Sequence, residues 1–197
     1  MTHFARGGSM AKPTTRQLRS DERRRHILDA ARERAEAEGW AAVTTRHLAD
    51  AIGYTQPVLY RHFPGGKTEI MRALAFEGFV ELAHQSRLAA ESATGRGAVE
   101  AVAIAYLDFA AAHPAVYEAM FQQPIDTRFA SEDTEPELRA GFEALRDAVR
   151  DDGDGTRTEV FWGALHGISE LERAGRMRPG DRSRRIAELA ACFGPAD

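Results

Sequence analysis

The chain has 197 residues, 43% of them apolar, with a single cysteine and a net charge of −4. That is enough apolar material for one domain or two small ones. No run of 18 apolar residues occurs, so no membrane span is expected, and the lone Cys192 excludes an internal disulfide or a cysteine-built metal cluster. The charge is uneven: residues 1–67 hold 12 Lys and Arg against 7 Asp and Glu, and residues 68–197 hold 14 against 23, so either a polyanionic partner binds at one end only or the arginine-rich end is simply solvated.

The opening "MTHFARGGSMAKPTTRQLRS" lacks the apolar stretch of a secretory signal, and a reduced, cytoplasmic protein is expected. "GGSM" precedes Met10, a second methionine, so residues 1–12 are read as a tag remnant or an upstream start. Residues 1–19 are expected to form a disordered basic arm. Ser20 is then the expected cap of a first helix, with Asp21 and Glu22 in its first turn. Ile27, Ala31 and Ala35 share one face of that helix, and Gly39 is its stop.

"TTRHLADAIG" predicts a short second helix capped by Thr44 and ended by Gly53. Thr55 caps a third, with Pro57 in its first turn, where proline is tolerated. After "PGG" (64–66) a long helix is expected from about Lys67 to Ala90. "AVEAVAIAYLDFAAAH" is apolar nearly all round and is expected to be buried. Pro114 restarts a short helix, residues 124–136 read as a polar loop, and three helices follow at about 136–150, 156–174 and 181–193. The prediction is an all-α protein. A helix-turn-helix unit spans residues 20–67, and a helical bundle for ligand binding and dimerisation spans 68–197.

The second and third helices carry the chemistry. Ala49 and Gly53 permit a close approach and a tight turn. Leu48, Ile52, Leu59 and Phe63 are spaced to fill a mini-core that Ile27 and Ala31 close. Thr55, Gln56, Pro57, Val58, Tyr60, Arg61 and His62 then project away from it. A glutamine amide can pair with an adenine edge, while Pro57 and Val58 can touch a thymine methyl. Tyr60 and His62 can bond phosphates. Thr44 and Thr45, at the start of the second helix, suit a phosphate, Arg46 can reach a phosphate or a guanine, and Lys67 adds a point charge.

This stretch, "VTTRHLADAIGYTQPVLYRHFPGGK", resembles the DNA-binding segment of the TetR family of bacterial repressors, with strong likeness over roughly residues 20–80. The resemblance implies that Thr45, Arg46, Gln56, Pro57, Val58, Tyr60, His62 and Lys67 fall at DNA-contact positions. "PGG" is one residue longer than in many members, which puts the reach of Lys67 in question. The resemblance further implies a homodimer on a palindromic operator in double-stranded DNA, mostly as a repressor, with a small-molecule effector bound in the C-terminal half.

"FWGALHGISELERAG" and "AHPAVYEAMF" resemble a subgroup of TetR-type C-terminal domains marked by tryptophan, histidine and glycine, here Trp162, His166 and Gly167. Tyr106, Phe109, Tyr117, Met120, Phe121 and Trp162 either line an apolar cavity, with His113 and His166 as polar handles, or simply fill the core. Gly163 and Gly167 either let a partner helix approach or pack within the monomer. Leu171, Ile186 and Leu189 complete the candidate dimer seam.

Enzyme motifs are missing. "GGKT" (65–68) lacks the first glycine of a phosphate-binding loop, since Arg61 stands there. The seven histidines lie at least 15 residues apart, so no zinc pair sits on one helix, and no G-x-S-x-G elbow occurs. No cofactor is expected. The alternative to a DNA reader is a helical protein-interaction module without specific DNA binding.

Overall fold

The computed structural model describes residues 14–122 and 136–195. Among these, every regular element is helical: α1 (Thr15–Glu38), a 3-10 turn (Trp40–Ala42), α2 (Thr45–Ala51), α3 (Gln56–His62), α4 (Gly66–Glu91), α5 (Arg96–Ala112), α6 (Pro114–Gln122), α7 (Pro136–Val149), α8 (Thr156–Arg173) and α9 (Arg182–Phe193). The polar stretch 124–136 lies, except for Pro136, outside the described residues.

α1 begins earlier than the sequence suggested. Thr14, not Ser20, is its cap: the Thr14 hydroxyl accepts the Gln17 amide, and the Gln17 side chain accepts the Thr14 amide in return. Such a reciprocal box satisfies two orphan donors at once and outcompetes a serine six residues further on. Residues 15–19, expected in a disordered arm, are therefore helical, and residues 1–13 lie outside the described ones. Gly39 stops the helix with φ near 79°, which an L side chain rarely adopts.

The three-helix head assembles as expected. Ile27, Ala31, Leu48, Ala49, Leu59 and Phe63 are buried, and Ile52 is half-buried at the edge. The Thr44 hydroxyl accepts the His47 amide at 3.2 Å, and Gly53 turns the chain at φ 68°. Each fully buried Leu or Phe here stabilises the head by about 1.5–3 kcal/mol.

α4 is the spine: it packs against α5, α6 and α7. α6 approaches it closely at Gly78, where a Cβ would stand 2.6 Å from the Val116 side chain. α5 buries Val99, Val102, Ala103, Tyr106, Leu107 and Phe109, but keeps Ile104 exposed. Its other neighbours are α6, α7, α8 and α9. One continuous apolar cluster runs from Ile27 of α1 to Ala190 of α9. Among the described residues no single helix is long and apolar enough to cross a membrane.

Candidate nucleic-acid interface

α3 is held by two buried side chains, Leu59 within it and Phe63 just after it, which flank its last turn. That leaves Thr55, Gln56, Pro57, Tyr60 and Arg61 exposed, with Val58 and His62 half-covered. Tyr60 keeps 45% of its surface open. Beside it, Thr44 and Arg46 are exposed and Thr45 is half-buried. The Thr45 and Tyr60 hydroxyls lie 3.5 Å apart, too far for a strong O–H···O bond, so both keep hydrogen-bonding capacity.

Arginines from α1 border this surface. The Arg24 guanidinium donates to the His62 carbonyl at 3.2 Å and lies 4.2 Å from the Phe63 ring centroid. Arg23 lies 6.0 Å from the Tyr54 ring. Partial burial, followed by the positive fields of Arg23, Arg61 and Arg24, holds the His62 imidazole below its ordinary pKa. The end of α3 is thus a region of positive potential made by both its own helix and α1.

Lys67 has a partner within the protein. Its ammonium donates to the Trp40 carbonyl. The longer "PGG" loop leaves the lysine at the start of α4, tied to the hinge after α1 and half-buried there. Nearby, the Gly65 amide donates to the Glu69 carboxylate at 2.8 Å.

The same hinge is fastened to the C-terminal half. The Glu36 carboxylate accepts the Ala115 and Val116 amides at 3.0 and 3.1 Å, capping α6 from α1. The Trp40 indole donates to the Ala115 carbonyl at 2.7 Å. Glu81 joins Arg32 at 3.0 Å to His113 at 3.6 Å.

The candidate ligand residues divide into two sets. Tyr106, Phe121 and Trp162 line a cavity of about 30 Å³, together with Phe79, Leu82, Ser86 and α7 side chains. Phe109, Tyr117 and Met120 are buried in the core instead. His113 pairs with Glu81 and does not line the cavity. A polar chain connects the rest: the Trp162 indole donates to the Tyr106 hydroxyl at 3.1 Å, Tyr106 and Tyr117 hydroxyls meet at 3.0 Å, and Tyr117 lies 2.7 Å from His166 Nδ1. Run in one direction, this chain ends with Tyr117 donating to a neutral His166. Burial lowers the His166 pKa in keeping with that, the Glu170 charge opposing it. Burial also raises Tyr106 well above its ordinary value and pushes Tyr117 up to about 12, so both hydroxyls keep their protons.

The candidate dimer residues also divide. A Cβ on Gly163 or Gly167 would meet nothing within 4 Å, so these glycines do not pack within the monomer. Val160 (58% open) and Leu171 (40% open) share their face of α8. Ile186 and Leu189, expected at the seam, are buried in the protomer's own core because α9 packs them against α5.

Two family models match this chain: "Bacterial regulatory proteins, tetR family" over residues 27–74, and "Tetracyclin repressor-like, C-terminal domain" over residues 99–193. The chain belongs to the TetR family. Among curated relatives it is similar to the uncharacterized HTH-type transcriptional regulator YobS of Bacillus subtilis (strain 168), 34% identical over 102 residues, covering 52% of this chain and 53% of YobS. It is also similar to the nucleoid occlusion factor SlmA of Marinomonas sp. (strain MWYL1), 30% identical over 49% of each chain. The chain thus spans about half the length of these relatives. A solved TetR transcriptional regulator from Rhodococcus sp. RHA1 shares the fold with a TM-score of 0.62, at 23% identity over 88% of this chain and 97% of that one.

Proposed function

We propose that this TetR-family chain is a DNA-binding transcriptional regulator that reads a palindromic operator as a homodimer. The observation that carries it is the outer face of α3: Gln56, Pro57, Tyr60 and Arg61 stand free of the core on a helix locked from beneath by Leu59 and Phe63, within a positive field. Gln56 and Val58 read base edges; Thr44, Thr45, Tyr60, Arg61 and His62 hold phosphates; Arg46 serves either. Lys67 contributes at most its remaining donors, since Trp40 takes one.

One α3 is too small for operator specificity, and two-fold symmetry supplies the second. The stripe of Val160, Gly163, Gly167 and Leu171 on α8 is the partner face, apolar at its ends and free of bulk at its centre. Repression is the mode that steric occupation of an operator gives most directly.

A small-molecule effector acts at the cavity beside Tyr106, Phe121 and Trp162. At about 30 Å³ it holds roughly two waters, whereas an effector of drug size needs about 300 Å³ or more. Entry therefore displaces α6 or Trp162, and α6 is the helix fastened to α1. The likeness to the Trp-His-Gly subgroup gains support from Trp162 and His166 meeting through the Tyr106–Tyr117 pair.

Titrating the protein into a labelled duplex carrying its site, at increasing salt, tests this reading. An affinity that falls steeply with salt supports it; a protein that binds no duplex at low salt is a helical interaction module instead.

A further inference from the structure

Twelve residues of α1, from Thr15 to His26, precede its first buried side chain, and only Ser20 and Arg24 among them are half-covered. At about 1.5 Å per residue this is roughly 18 Å of helix standing clear of the core. Three turns that bury nothing are marginal in water. This segment continues a packed helix and is closed by the Thr14–Gln17 box, which keeps it helical, and its contacts with the head are made at its inner end, by Arg23 and Arg24.

Its charge suits a polyanion. The segment carries Arg16, Arg19, Arg23, Arg24 and Arg25 against only Asp21 and Glu22. Arg16, Arg19 and Arg23 are spaced i, i+3, i+7 and so share one face, with Asp21 roughly opposite. Arg23 fixes where that face points: it lies by the Tyr54 ring, just before α3, and its field reaches His62 at the other end of α3. The stripe therefore starts alongside the recognition helix and continues outward from it. Among the described residues neither Arg16 nor Arg19 has an ion-pair partner.

We propose that Arg16 and Arg19 clamp the phosphate backbone of the duplex outside the half-site that α3 reads. Guanidinium forks match phosphate oxygens bidentately, and a rigid helix places two of them one turn apart. This rests on the DNA-binding reading, and it extends each protomer's footprint beyond α3's own reach.

The test uses the full chain and its Arg16→Ala/Arg19→Ala variant on two duplexes. One ends at the outer edges of the half-sites; the other carries about ten further base pairs on each side, one helical turn. Wild type binds the extended duplex roughly tenfold more tightly than the short one, and the variant binds both with the short-duplex affinity. On the extended duplex the variant's salt slope falls by about 0.9 for each phosphate it no longer neutralises. Both residues are exposed, so unchanged helicity and melting temperature show that the fold is intact. The Arg16→Lys/Arg19→Lys variant keeps most of the slope. A double-alanine variant indistinguishable from wild type on the extended duplex overturns the clamp while leaving the DNA-binding reading in place. A wild-type chain that binds neither duplex overturns both.

Discussion

The Trp40 indole donates its N–H to the Ala115 carbonyl at 2.7 Å, from the hinge after α1 to the first turn of α6. Glu36 holds the amides of the same turn, and Lys67 holds the Trp40 carbonyl. α6 also carries Tyr117 and Phe121 into the aromatic core. α6 is thereby joined to the head by three named bonds in addition to the apolar cluster that the two halves share.

Removing the Glu36 carboxylate by Glu36→Ala strips the start of α6 of its cap and should cost about 1–2 kcal/mol, the range for a lost helix cap. Trp40→Phe keeps most of the ring and should cost about 0.5–1.5 kcal/mol for the lost hydrogen bond. Urea denaturation measures both. Midpoints equal to wild type for both variants would show that α6 is not fastened there.

Base reading and phosphate holding should separate by substitution. Gln56→Ala should lose about 1–3 kcal/mol on the cognate site and much less on scrambled DNA. Arg61→Ala should weaken both sequences alike and flatten the salt dependence. Anisotropy titrations on the two duplexes compare them; equal losses for Gln56→Ala would remove it from base contact.

Gly167→Trp tests the partner face. A side chain there meets nothing within the protomer, so the monomer should fold with unchanged helicity. Between two α8 helices the indole should hold the subunits apart, and sedimentation velocity should report monomer. A dimer of native size would place the seam elsewhere.

His62 and His166 both have folded pKa values below the ordinary 6.5, in each case mainly through burial. The fold thus favours the neutral rings. Above the ordinary value the unfolded chain is neutral too, and no penalty arises. As pH falls below it, the unfolded chain takes up protons first, so stability is lost on acidification. Urea midpoints at pH 7.5 and 5.5 should show the lower value at pH 5.5, and His166→Gln should shrink the difference. A midpoint independent of pH would count against both shifts.

The head was legible because its signals are local. Thr44, Gly53, Thr55 and Pro57 each mark a helix end by rules that act within four residues, and Leu48, Leu59 and Phe63 follow the helical period. The start of α1 is hard to read because residues 15–26 show no apolar period, and its one local signal is the Thr14–Gln17 box. Ile186 and Leu189 form an apolar face that can bury itself in its own protomer or in a partner, and spacing does not distinguish the two. The Glu36 and Trp40 bonds to α6 join residues 75 to 80 apart, which no local pattern reports.

The most direct measurement is selection of duplexes by the purified chain from a random library. We expect enrichment of a palindrome whose half-sites lie about one helical turn apart, contacted on both sides by α3. A selected pool no different from the starting library would contradict sequence reading by the free face of Gln56, Pro57, Tyr60 and Arg61.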